Sequence, residues 1–116
     1  MSIRKRAKGD HSAHLQGTLD LLILRTLIYG PAHGHAIAKH IQSSSETLRI
    51  ETGSLYPALH RLEAQGLVRP EWRLSDKGKR AKYYQLTPAG KRHLTAEHSR
   101  WEQFVLAMGR VLLPSE

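Results

Sequence analysis

The sequence predicts a mainly α fold with one small β-hairpin, closed by a long C-terminal helix. Three observations carry this. Apolar residues recur at helical spacing in four segments, one stretch alternates strictly around residues 67–74, and Gly and Pro stand at the junctions. With 116 residues there is room for one compact domain, so any large extra apolar surface has to be covered by a partner. The chain has no cysteine, which excludes disulfides, thiolate zinc ligands and a cysteine nucleophile, and the cytoplasm is the expected compartment. The longest apolar stretch, Leu19 to Ile28, is broken by Asp20 and Arg25 and is too short to span a bilayer, so no membrane is expected as a partner.

Residues 1–16 are polar, basic and without pattern, and read as a flexible arm. From Thr18 the chain turns helical, with Leu19, Leu22, Ile23 and Thr26 on one face and Leu21, Leu24 and Ile28 on another, up to a Gly30-Pro31 stop. A helix apolar on both faces needs cover on both, one side from its own domain and the other from a second subunit. The turn Gly30-Pro31-Ala32-His33-Gly34 leads into a second helix of about three turns. It directs Ile37, Ala38 and Ile41 inward and ends at Ser43-Ser44-Ser45. Beyond a linker through Leu48 and Ile50, a third helix runs from Thr52-Gly53-Ser54 to Gly66. Pro57 sits in its first turn, Leu55, Leu59 and Leu62 form its buried stripe, and Gly66 closes it as a left-handed cap.

Leu67 to Leu74 sets Val68, Pro70, Trp72 and Leu74 against Arg69, Glu71 and Arg73, the pattern of a half-buried edge strand with Trp72 in the core. Lys82 to Leu86 is its partner, with Tyr83 or Tyr84 packed beneath, and Ser75 to Ala81 forms a polar tip bent at Gly78. Thr87 as N-cap and Pro88 as first helical residue open the last helix, which can run for about 25 residues, roughly 37 Å. Leu94, Trp101 and Met108 recur every seven positions, with Phe104, Val105, Val111 and Leu112 beside them, a spacing that suits helix-against-helix packing. This order of elements is that of a winged helix-turn-helix plus a C-terminal dimerisation helix. Residues 17–86 form the winged domain and 87–113 the dimerisation helix of a homodimer.

Eighteen Lys and Arg against ten Asp and Glu give a formal charge of +8, and its placement is uneven. Met1 to Gln16 carries Arg4, Lys5, Arg6 and Lys8 against Asp10, while Ser75 to Lys82 carries Lys77, Lys79, Arg80 and Lys82 against Asp76. Charge concentrated in two short segments is the electrostatic footprint of phosphate binding, so double-stranded DNA is the expected partner. Eight histidines include His11 with His14 and the group His33, His35 and His40, but none of these spacings repeats a zinc pattern. No phosphate loop, nucleophile motif or carboxylate cluster is present either, so neither a metal, a cofactor nor an enzyme is expected.

Three segments together resemble the PadR-like transcriptional regulators over residues 17–112. They are Gly17-Thr18-Leu19 with the Gly30 to Gly34 turn, Gly53-Ser54-Leu55-Tyr56-Pro57-Ala58-Leu59-His60-Arg61-Leu62-Glu63 through Gly66-Leu67-Val68, and Arg80-Ala81-Lys82-Tyr83-Tyr84-Gln85-Leu86-Thr87-Pro88-Ala89-Gly90. A single C-terminal helix matches the shorter subtype. The resemblance implies a dimeric repressor released by a small molecule or another signal. The family commonly places Gly-Tyr after the first turn where this chain has Gly34-His35, which puts His35 where a tyrosine hydroxyl would meet phosphate.

In such a fold the third helix enters the major groove, which nominates Ser54, Tyr56, Pro57, His60 and Arg61, with Arg61 as the reader of a guanine through its fork. Lys77, Lys79, Arg80 and Lys82 in the wing are expected on phosphates or in the minor groove, and His35 and Lys39 on phosphates. A two-fold dimer implies a palindromic operator. Leu94, Trp101, Phe104, Val105 and Met108 are assigned to the dimer seam or to a pocket for a small hydrophobic effector. Trp101 can be a packing anchor or one wall of that pocket. A non-specific architectural nucleic-acid-binding protein is the alternative function.

Overall fold

A computed structural model of the chain describes residues 17–44 and 52–113, so the expected basic arm and the linker through Leu48 and Ile50 lie outside the described residues. The first helix, α1, runs through residues 17–26 and tightens into a single 3₁₀ turn, Leu27–Tyr29, before Gly30. This turn advances each side chain by more than an α-helix does. It buries Leu27, which neither of the expected apolar faces included, and leaves Ile28 half exposed. Thr26 is buried as well, and its hydroxyl donates to the Leu22 carbonyl at 2.9 Å.

Ala32–His33 form a short strand, β1, where sequence pattern suggested only a turn. Two residues are too few to show alternation, and β1 is defined by pairing, Ala32 with Tyr84 and His33 with Tyr83. The second helix, α2, spans Gly34–Ser44 and buries Ile37 and Ile41, with Ala38 packed against the core as expected.

The third helix, α3, spans Thr52–Ala64. It begins at Thr52 as expected, but Pro57 then lies inside the helix and not in its first turn, which leaves the Gly53 carbonyl without its usual donor. Gly53 is exposed, so the loss falls on the solvent side. The far end closes as expected. Gly66 adopts φ +74°, Leu67 N donates to Leu62 O at 2.9 Å and Gly66 N to Glu63 O at 3.0 Å, the two bonds of a Schellman cap.

Strands β2 (Val68–Leu74) and β3 (Arg80–Leu86) make the wing, and the sheet order β1-β3-β2 leaves β2 with Pro70 at an edge. Its tip is held by Ser75, whose N–H donates to Lys79 O and whose carbonyl accepts from Gly78 N. Val68, Tyr84 and Leu86 at the root are buried, but Trp72 is 56% exposed, contrary to its assignment to the core. The hairpin simply outruns the helices beneath it, so the alternation persists where there is nothing left to cover.

The last helix, α4, spans Pro88–Leu112. The Thr87 hydroxyl accepts from Gly90 N at 2.9 Å and donates to Gly66 O at 2.7 Å, tying the cap of α4 to that of α3. The core is shared by Ile23, Leu24 and Leu27, Ile37 and Ile41, Leu55, Ala58, Leu59 and Leu62, the wing root, and Leu94. Beyond Leu94 the large apolar side chains of α4 are exposed.

Candidate nucleic-acid interface

Successive side chains along α3 step round the helix by about 100°. Once Leu55, Ala58, Leu59 and Leu62 face the core, Gly53, Pro57, His60 and Ala64 point away from it. Tyr56 and Glu63 flank them toward the wing, and Ser54 and Arg61 toward α1. Gly53, Ser54, Tyr56, Pro57, His60 and Ala64 are all exposed, as this geometry requires.

Between α2, α3 and β3 lies an open cleft of about 490 Å³, walled by His33, Gly34 and His35, by Tyr56 and His60, and by Lys79, Arg80 and Lys82, with Tyr84 at its base. Gly34 permits the close approach of α2 to α3, since a Cβ there would lie 2.8 Å from Cε1 of Tyr56. His33 caps α2: its Nδ1 accepts from Ala36 N at 3.1 Å, so that nitrogen carries no proton. Its ring stacks on His35 with centroids 6.4 Å apart and meets Tyr83 edge-on at 5.2 Å. Burial raises the Tyr84 phenol above the ordinary range, with the charge of Lys82 opposing the shift.

The cations fall into two groups. Some are consumed within the domain: Arg61 Nη2 lies 2.9 Å from Asp20 Oδ1, Lys82 Nζ 3.1 Å from Glu63 Oε1, and Arg73 Nε 3.0 Å from Glu71 Oε1. Glu63 raises Lys82 above the usual lysine range, while the hydrogen bond from Arg73 lowers Glu71 below that of a free glutamate. Others stand in solvent: Lys77 and Lys79 at the wing tip, Arg80 with its guanidinium 4.9 Å over the Trp72 ring, and Lys39 on α2, where the His35 side chain is exposed too.

Arg61, expected to read a guanine, donates from Nη2 to Asp20 of α1 on the flank of α3. Asp20 was seen only as an interruption of an apolar run, although an acid among Leu19, Leu21 and Leu22 needs a partner, and that was the signal for this pair. Burial raises the Asp20 carboxyl above its usual value, with Arg61 and then His93 opposing the shift.

The residues assigned to the dimer seam or pocket also divide. Leu94 is only 4% exposed and belongs to the domain's own core, which removes it from that set. Trp101, Phe104, Val105 and Met108 are exposed, together with Leu106, Val111, Leu112 and Leu113. Trp101 and Phe104 lie with ring centroids 5.8 Å apart and, with Gly17, Thr18 and Leu21 of α1, line a groove of about 360 Å³. Among the described residues there is no cluster of three or more metal-ligating side chains, and no helix is long and apolar enough to cross a membrane.

The profile of the transcriptional regulator PadR-like family matches residues 23–96. A transcriptional regulator of Mycobacterium tuberculosis is 37% identical over 83 residues, covering 72% of this chain and 75% of that protein. A protein from a Streptomyces fradiae transposon is 48% identical over 77 residues, and the match spans 66% of this chain but only 21% of that much longer relative. Among solved structures, a transcriptional regulator from Clostridium thermocellum superposes with a TM-score of 0.78 at 28% identity, covering 87% of this chain and 99% of that one. A PadR family regulator from Eggerthella lenta reaches 0.74 at 31% identity, covering 99% of this chain and 100% of its own. The winged helix, the cleft it frames and these matches lead to one assignment: the chain belongs to the PadR-like family of transcriptional regulators.

Proposed function

We propose that the protein is a cytoplasmic, sequence-specific DNA-binding repressor that works as a homodimer and is released by a small hydrophobic molecule. The observation that carries this is the cleft itself, where Tyr56 and His60 of α3 stand beside the exposed cations Lys79 and Arg80. The outward face of α3 enters the major groove, with Tyr56, Pro57 and His60 nearest the bases and Ser54 on the flanking backbone, while His35 and Lys39 meet phosphate. Arg61 keeps its place on Asp20 and acts by fixing α3 to α1.

Dimerisation is supported by the second half of α4, where Trp101, Phe104, Val105, Met108, Val111 and Leu112 are all exposed, since contiguous exposed apolar side chains mark interaction surfaces. Two copies related by a two-fold axis then read a palindromic operator. The groove beside Trp101 falls within the size range of small-molecule sites and is the place for an effector.

The test is a binding titration on DNA from upstream of the protein's own gene and on a scrambled duplex, at low and at physiological salt. A specific repressor prefers its operator by about a thousandfold or more. Equal affinity for both duplexes, lost together in salt, would instead establish the architectural alternative.

A further inference from the structure

The two faces of the wing are unlike each other. Residues directly opposite in an antiparallel pair share a face. The pairs Arg69 with Gln85, Glu71 with Tyr83 and Arg73 with Ala81 therefore line one side, and Val68 with Leu86, Pro70 with Tyr84, Trp72 with Lys82 and Leu74 with Arg80 line the other. The first side is satisfied within itself: Arg73 bonds Glu71 and lies over the Tyr83 ring, and Arg69 donates to Gln85. The second side begins in the core and emerges beside α3, as the Lys82 to Glu63 pair shows. Its outer end carries Trp72 and Leu74, 56% and 74% exposed, at the distal end of the hairpin.

We propose that this end of the wing is a wedge for the minor groove, with Leu74 inserted at a base step, Trp72 against the sugars or an unstacked base, and Arg80 in the groove between them. The inference rests on the DNA-binding function proposed above and names how the wing takes part in it. DNA is the occupant that the charge favours, because exposed cations flank the apolar pair: Arg80 opposite Leu74, and Lys77 and Lys79, against Asp76, in the adjoining turn. Arginine suits the negative potential of a narrow minor groove, and apolar wedges beside it unstack base steps and bend the duplex. Arg80 already lies over one side of the Trp72 ring, so the other remains for a sugar or base.

The test uses the full chain and a duplex from upstream of its own gene, labelled at both ends so that energy transfer reports bending while anisotropy reports binding. Leu74→Ser and Trp72→Ala are compared with the native protein at several salt concentrations. Both side chains are exposed, so thermal melting followed by circular dichroism should match the native protein and shows that the fold is retained. The expected result is a bent duplex with the native protein, a smaller bend with each variant, and affinity reduced by about tenfold with the salt dependence unchanged, because no charge has been removed. A straight duplex under saturating native protein, or native bending and affinity in both variants, overturns the wedge while leaving DNA binding intact. A change in self-association of Leu74→Ser without DNA would show that the patch serves contacts between copies of the chain, and it also overturns the wedge. Failure of the native protein to bind any duplex refutes the DNA-binding function, and the wedge falls with it.

Discussion

Replacing Lys77 and Lys79 together by alanine separates cations that meet phosphate from cations that are already spent inside the domain. Both lysines stand exposed in the turn of the wing, whereas Arg61 is held 2.9 Å from Asp20. Each phosphate neutralised contributes about −0.9 to the slope of log K against log salt, so losing two contacts should flatten the slope by about 1.8 per bound chain, and by about 3.6 for a dimer. Between about 50 and 200 mM salt, the native protein should then lose roughly twelvefold more affinity per chain than the double variant. Arg61→Ala should leave the slope unchanged, since its charge is compensated by a neighbour. It should instead lower stability by about 1–2 kcal/mol, the scale of a charged hydrogen bond discounted for the solvent at Arg61.

The assay is fluorescence anisotropy of a labelled duplex at four or more salt concentrations, together with urea denaturation of each free variant. An unchanged slope in the double lysine variant would refute the assignment of the wing to phosphate. A slope flattened by about one unit per chain in Arg61→Ala would show that Arg61 leaves Asp20 to reach phosphate, and relaxed specificity at a single base pair would restore it as a reader of bases.

Four further outcomes follow from the packing and the charges. Gly66→Ala places a Cβ at φ +74° and should cost about 1–2 kcal/mol in urea denaturation, with DNA specificity unchanged. Asp20 is raised by burial, so its contribution to stability is fully present below the unfolded-chain value and fades as pH rises through the folded one. The stability difference between the native protein and Asp20→Asn should therefore shift in favour of the native protein as pH falls from about 7 to about 4, checked by denaturation at both ends. Leu94→Ala should destabilise the domain by about 2–5 kcal/mol. Met108→Ala should instead weaken self-association in sedimentation at low protein concentration and leave the domain's helical content in place.

The elements that the sequence made legible are those whose signals are local. Thr87 with Pro88 marks a helix start by backbone chemistry alone, Gly66 marks a stop, and Leu55, Leu59 and Leu62 mark a buried stripe; all three agree with the structure. What escaped depends on contacts distant in sequence. β1 consists of two residues defined by pairing with β3, and Trp72 alternates correctly but sits where the core has ended. The cleft was partly legible. His35, Tyr56, His60, Lys79, Arg80 and Lys82 do converge, but charge counting could not reveal that Lys82 is paired with Glu63 or Arg61 with Asp20, because each pair joins two different elements.

The split along α4 has the same origin and a further consequence. Seven residues fall only about 20° short of two full turns, so Leu94, Trp101 and Met108 lie almost in line, and periodicity gives them equal weight. The domain beneath them ends after Leu94, which is buried, while Trp101 and Met108 are exposed. One stripe therefore passes without interruption from the hydrophobic core to an uncovered surface, and the groove at Trp101 shares its other wall with α1 through Gly17, Thr18 and Leu21. α1 is also the helix that holds Arg61 through Asp20. The groove beside the second half of α4 and the ion pair that fixes Arg61 of α3 therefore share about one turn of α1, from Gly17 to Leu21.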